Sequence, residues 1–100
     1  MILLRGQQKR ARRTRARKAV LAYLMDHPCV DCGERDPVVL DFDHGDSHKT
    51  DNVSVLVANG YEWSVIACEI AKCAVRCANC HRRLEAKRRG YYRLQAAIER

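Results

Sequence analysis

Two Cys-x-x-Cys pairs, Cys29-Val-Asp-Cys32 and Cys77-Ala-Asn-Cys80, constrain this 100-residue chain more than any other feature. Each pair brings two thiols close enough to share one ion, and four thiolates complete the tetrahedral shell that zinc takes in structural sites. A redox dithiol would need only one pair. The 44 residues between the pairs exceed the spacing of a compact zinc ribbon, so a whole subdomain must loop out between the two knuckles. Structural zinc on Cys29, Cys32, Cys77 and Cys80 is the expectation, and a chain this short, whose apolar core is marginal alone, has need of it. Cys68 and Cys73 lack a partner at that spacing and read as small buried hydrophobes.

Charge is distributed unevenly. Residues 1–25 carry eight Lys/Arg and no acid, residues 26–76 carry ten acids against four bases, and residues 77–100 carry seven bases against two acids. Two basic ends flanking an acidic middle suit a polyphosphate partner at the ends and a cation in between, although charge runs are also common on solvated faces. The apolar runs Met1–Leu4 and Val53–Ala58 are too short to span a membrane, and Met1–Leu4 meets Arg5 with no h-region for a secretory signal. A cytoplasmic location is the default expectation, and there Cys-x-x-Cys pairs favour metal over disulfides.

Periodicity places the motifs. Residues 1–15 read as a basic arm that can remain disordered, and 16–100 as a single domain. Ala16, Ala19, Val20, Tyr23 and Leu24 form a helical stripe that Pro28 should stop. Val38 to Asp43 alternates as a strand, with Val38, Leu40 and Phe42 on one face and Val39, Asp41 and Asp43 on the other. A polar loop follows, then a short helix from Val53 with Ser54 as N-cap and Gly60 as its stop. Trp63, Ile66, Ala67, Ile70 and Ala71 predict a further helix, Ala74 to Arg76 a returning strand, and Cys80 onward a helix to about Arg89. Gly90 should bend the chain before a last helical stripe of Tyr91, Leu94 and Ile98. The fold class is α+β, mostly helical outside a two-stranded antiparallel hairpin.

A second constellation is Asp43-His44 at the strand end, with His81 immediately after the last cysteine. A carboxylate and an imidazole can share a divalent cation that keeps open positions, while a second imidazole takes a proton from water. A regular strand would point Asp43 and His44 to opposite faces, so both serve one site only if the strand breaks there, which Gly45 makes easy. His48, in the same loop, reads as solvated.

Leu40-Asp-Phe-Asp-His44, Asn52 and Cys77-Ala-Asn-Cys-His81 resemble the HNH endonucleases of the ββα-metal class, in the subgroup with a structural zinc. The resemblance covers roughly residues 29–89. It implies two antiparallel strands and a helix gripping one catalytic cation, Mg²⁺ or Mn²⁺, held by Asp43 and His81. His44 would be the general base, and Asn52 a polar brace for it. Asn79 also lies between the histidines, but its place in a knuckle is explained by tolerance of a left-handed turn. Residues 53–72 read as two helices, where many members of that family have a shorter loop.

The function so implied is hydrolysis of phosphodiesters in double-stranded DNA. Arg10, Arg12, Arg13, Arg15, Arg17 and Lys18 at one end, and Lys49, Arg82, Arg83 and Lys87 elsewhere, would hold phosphates without reading bases. Phage DNA packaging, mobile-element homing and restriction all use this family, which suggests a bacterial or phage-infected host cell. A non-catalytic zinc-stabilised nucleic-acid-binding module would share the cysteines and the charge but has no need of Asp43, His44 and His81 together. A third class is an assembly protein that docks a partner through its last helix. A homodimer or a larger DNA-processing assembly is open, although no heptad pattern argues for either.

Overall fold

The computed structural model describes residues 5–45, 50–90 and 92–99, leaving aside the side chain of Leu94. Helix α1 (Arg5–Asp26) leads through a turn at the first knuckle and a single 3₁₀ turn (Pro37–Val39) into β1 (Leu40–Asp43). Helices α2 (Val53–Ala58) and α3 (Trp63–Ile70) follow, then β2 (Ala74–Cys77), α4 (Ala78–Arg89) and α5 (Tyr92–Ile98). The architecture is α+β and mostly helical. Its sheet is one antiparallel pair in which Leu40 faces Cys77 and Asp43 faces Ala74. No helix among the described residues is long and apolar enough to cross a membrane.

Several boundaries differ from the sequence expectations. Helix α1 already includes Arg5, so residues 5–15 of the expected 1–15 arm are helical, while residues 1–4 lie outside the described residues. Its Lys9 lies against Gly60, where an added Cβ would stand 2.7 Å from the lysine Cγ. Pro37 fixes a φ suited to the first position of a helical turn, and Asp36 caps that turn through its side chain, accepting from the Val38 N–H at 3.0 Å. The strand therefore starts at Leu40, two residues late, and leaves Val38 exposed. Ser54 does not cap α2. Asn52 occupies that position instead, its backbone carbonyl accepting from the Val55 and Leu56 N–H groups. Cys68 is exposed, because the buried side of α3 runs through Ile66, Glu69 and Ile70 at helical spacing. Of the final stripe, Tyr91 and the Leu94 side chain lie outside the described residues.

Burial falls into two clusters. Ala16, Val53, Leu56, Val57, Ile66 and Ile70 form one, centred on the fully buried Ile66. The other consists of Leu24, Leu40 and Val75 with three of the knuckle cysteines, Cys29, Cys77 and Cys80. Val20, Tyr23 and Phe42 touch both clusters, so α1 and β1 join the helical half to the cysteine half.

Candidate metal centre and catalytic cleft

The four cysteines meet. Their sulfurs lie within 4.8 Å of one another, and those of Cys32 and Cys77 are 3.6 Å apart. Gly33 takes φ 80°, which closes the first knuckle into a turn where its N–H donates to the Cys29 carbonyl at 2.9 Å. Val30 N–H then donates to the Val75 carbonyl, which lays this knuckle alongside β2 and so alongside the second knuckle. Four sulfurs this close cannot all ionise without a compensating cation. The Cys77 side chain and burial push the Cys80 thiol up to about 12. Burial also opposes ionisation of Cys29, but backbone N–H groups of Cys77, Cys32 and Asp31 outweigh it and bring that thiol down to about 6. The donor set and its closeness fit a zinc ion.

The strand breaks after Asp43. Gly45, at φ 60°, turns the chain, and its N–H donates to Asp43 Oδ1 at 2.9 Å. Asp43 and His44 consequently open onto one cleft of about 420 Å³, together with Asn52, His81, Glu85 and Arg89. Asp43 is only 5 % exposed, with α4 packed against the strand that carries it. His81 Nε2 lies 3.9 Å from Asp43 Oδ1, while its Nδ1 stands 3.3 Å from Asp41 Oδ2. A proton on Nδ1 shared with Asp41 leaves the Nε2 lone pair facing Asp43, the arrangement that a metal-binding imidazole uses.

Glu85 joins Asp43 and His81, with one ligand atom from each lying within 4.8 Å of the others. It stands one helical turn beyond His81 on α4, and this i, i+4 spacing is readable in the sequence once His81 is suspected. The cluster is not free of cations, however. Arg88 Nη1 donates to Asp43 Oδ1 at 3.1 Å and to Glu85 Oε1 at 3.0 Å, and Arg76 reaches Asp43 Oδ2 at 2.8 Å. Burial alone would raise the Asp43 pKa, but the Gly45 N–H and Arg88 overcome it and hold the carboxyl below its ordinary value. A divalent cation taking oxygens from both carboxylates would compete with Arg88. If the cluster takes Mn²⁺, replacing Arg88 with Ala should tighten that binding by at least about tenfold, since the cation would no longer displace the hydrogen bonds Arg88 gives to both carboxylates. Calorimetric titration of zinc-loaded protein measures this, and equal or weaker affinity would mean that Arg88 does not compete.

His44 has a partner that sequence reasoning missed. Its Nε2 stands 2.8 Å from Glu69 Oε2, and the two side chains are 10 % and 3 % exposed. A carboxylate only accepts, so Nε2 carries the proton and Nδ1 is left as the acceptor. Burial would raise the Glu69 pKa, but Lys72, His44 and the Thr50 N–H outweigh it and hold that carboxyl at about 2. The signal was a carboxylate on the buried stripe of α3, between Ile66 and Ile70, where charged residues are rare unless paired. Asn52 faces the same cleft, but its side chain makes no hydrogen bond among the described residues, so the bracing of His44 falls to Glu69. Asn79 lies elsewhere, beside Arg82 and Arg83.

The basic residues also separate. Arg17 lines an adjoining hollow with His44 and His81. Arg12 and Arg15 border a different hollow beside Tyr61 and Trp63, where Arg12 lies 3.9 Å from Glu62. Arg10, Arg13 and Lys18 lie on α1, with Arg10 and Lys18 exposed and Arg13 half-buried. Arg82, Arg83 and Lys87 sit away from the cleft, and Lys49 and His48 lie outside the described residues. Comparison of the chain with protein-family models, curated proteins and solved structures finds no match.

Proposed function

We propose that this chain is a zinc-stabilised, divalent-cation-dependent DNA endonuclease of the HNH kind, working at the Asp43–His44–His81 cleft. The observation that supports it best is the break at Gly45. Through it a strand end that would otherwise splay Asp43 and His44 delivers both to one cleft, opposite His81 on α4.

Asp43, His81 and Glu85 would hold the cation, which as Mg²⁺ or Mn²⁺ supplies stabilisation of charge on the phosphate and its leaving oxygen. His44, steadied by Glu69, accepts a proton from water on Nδ1 as the water oxygen bonds to phosphorus. The P–O3′ bond breaks, and the 3′ oxygen takes its proton from solvent. Arg89 lines the same cleft and offers a cation to the non-bridging oxygens. The basic side chains of α1 would hold flanking phosphates of a DNA duplex.

One observation favours a second reading. Arg76 and Arg88 already answer the charge of Asp43, as they would in a non-catalytic zinc module that only binds nucleic acid. Incubating supercoiled plasmid with the protein decides between them. Nicked or linear product that requires added Mg²⁺ or Mn²⁺, and is lost in Asp43→Ala, is the expected result. DNA binding without cutting under any divalent cation would leave the binding-module reading.

A further inference from the structure

Helix α4 has two cationic faces, and only one of them serves the cleft. Successive residues turn by about 100° on a helix. His81, Glu85, Arg88 and Arg89 share one side, where Arg88 and Arg89 are both bonded to Glu85. Arg83 and Lys87, with Asn79, look away from it, and Arg82 lies at the border between the two faces, about 20° round the helix from Arg89. Together with Tyr92 and Arg93 of α5 they line a separate hollow of about 740 Å³. Among the described residues no acidic side chain lines this hollow and none of its four cations makes an ion pair. Arg76, Arg88 and Arg89, by contrast, all bond carboxylates. Tyr92 stands at the hollow 84 % exposed.

We infer that this hollow is a second nucleic-acid site, for an unpaired strand, with phosphates on Arg82, Arg83, Lys87 and Arg93 and one base stacked on Tyr92. Four unpaired like charges around one hollow repel each other, and a polyanion relieves that repulsion. A small anion would satisfy the charges but give no use to a bare aromatic ring. The ring gains most from an unstacked base, which a duplex keeps inside its own stack. A cationic groove with an exposed aromatic platform is how sequence-tolerant single-strand sites are built. The inference rests on the reading of the chain as a nucleic-acid protein, and not on hydrolysis at the cleft.

The test is fluorescence anisotropy with a labelled oligothymidylate about a dozen nucleotides long and a hairpin duplex. It uses zinc-loaded full-length protein, with no chelator and no added divalent cation. Tyr92→Ala should weaken oligothymidylate binding by roughly 5- to 100-fold while Tyr92→Phe retains it. Duplex binding should be unchanged in both. Each of Arg83→Ala and Arg93→Ala should flatten the log–log salt slope by about 0.7. Thermal melts should match the parent, since Tyr92 is exposed. Failure of the parent to bind oligothymidylate, or equal binding by Tyr92→Ala, would overturn the inference. An equal loss on both probes would overturn the single-strand assignment. Strand binding that follows these expectations, with no plasmid cutting, supports this site and sinks only the hydrolytic reading.

Discussion

Removing the metal from the four-cysteine cluster should unfold the chain. Metal analysis of purified protein should return about one zinc per chain, and stripping it should abolish the cooperative thermal transition. Structural zinc contributes on the order of 10 kcal/mol in zinc-finger peptides, comparable with a domain's whole net stability. The cluster is also part of the core. Cys29, Cys77 and Cys80 are members of the second buried group, and Val20, Tyr23 and Phe42 tie that group to the first. Loss of the ion leaves crowded sulfurs that resist ionisation, and it loosens the turn that holds Asp31 near Arg76. Cys77→Ser should reproduce the effect, while Cys68→Ser, at an exposed position, should change stability by less than about 0.5 kcal/mol. A zinc-free protein that melts cooperatively at the parent temperature would refute the four-cysteine assignment.

His44→Ala should lower DNA cleavage by roughly 100-fold or more, the usual worth of a positioned general base, while binding of divalent cation and DNA persists. The fold should survive this change, because Glu69 keeps Lys72 at 3.1 Å and the Thr50 N–H at 3.2 Å. Glu69→Gln should cost less, roughly tenfold, since an amide can still touch Nε2 but no longer fixes which nitrogen carries the proton. Glu69 adds a separate signature in acid. Its folded pKa of about 2 lies below the ordinary 4.5, so its contribution to stability is complete above pH 4.5 and is lost as pH falls toward 2. In Glu69→Gln that part of the acid transition should be absent from melts recorded across this window. His81→Ala should instead weaken cation binding, and extra Mn²⁺ should partly restore its cutting. Parent-rate cleavage by His44→Ala would end the general-base assignment.

The link between the two centres is geometric. Arg76, on β2, donates through Nε to Asp31 of the first knuckle and through Nη1 to Asp43 of the cleft, each at 2.8 Å. The first cysteine knuckle and the cleft carboxylate thus grip the same guanidinium, and what steadies the knuckle also steadies Asp43.

The parts legible in the residues alone are those whose cause is local. Apolar stripes set α2, α3 and the second half of α1. Pro28 and the knuckle spacing fixed where α1 ends and where the sulfurs must meet, and Gly45 announced the break beside Asp43. Each depends on residues within a few positions, or on ligands that a single ion forces together. The remainder depends on how elements distant in the chain pack together. Glu69 reaches His44 across 25 positions because α3 lays its buried stripe beside the end of β1. Asp31 and Arg76 meet across 45 positions because the first knuckle extends along β2. Which carboxylates Arg88 takes, and which side of α4 is left with unpaired charge, depend on what that helix is packed against. Periodicity ranks faces by polarity, but it cannot say which polar face lies over another element, and here one such face carries the cleft.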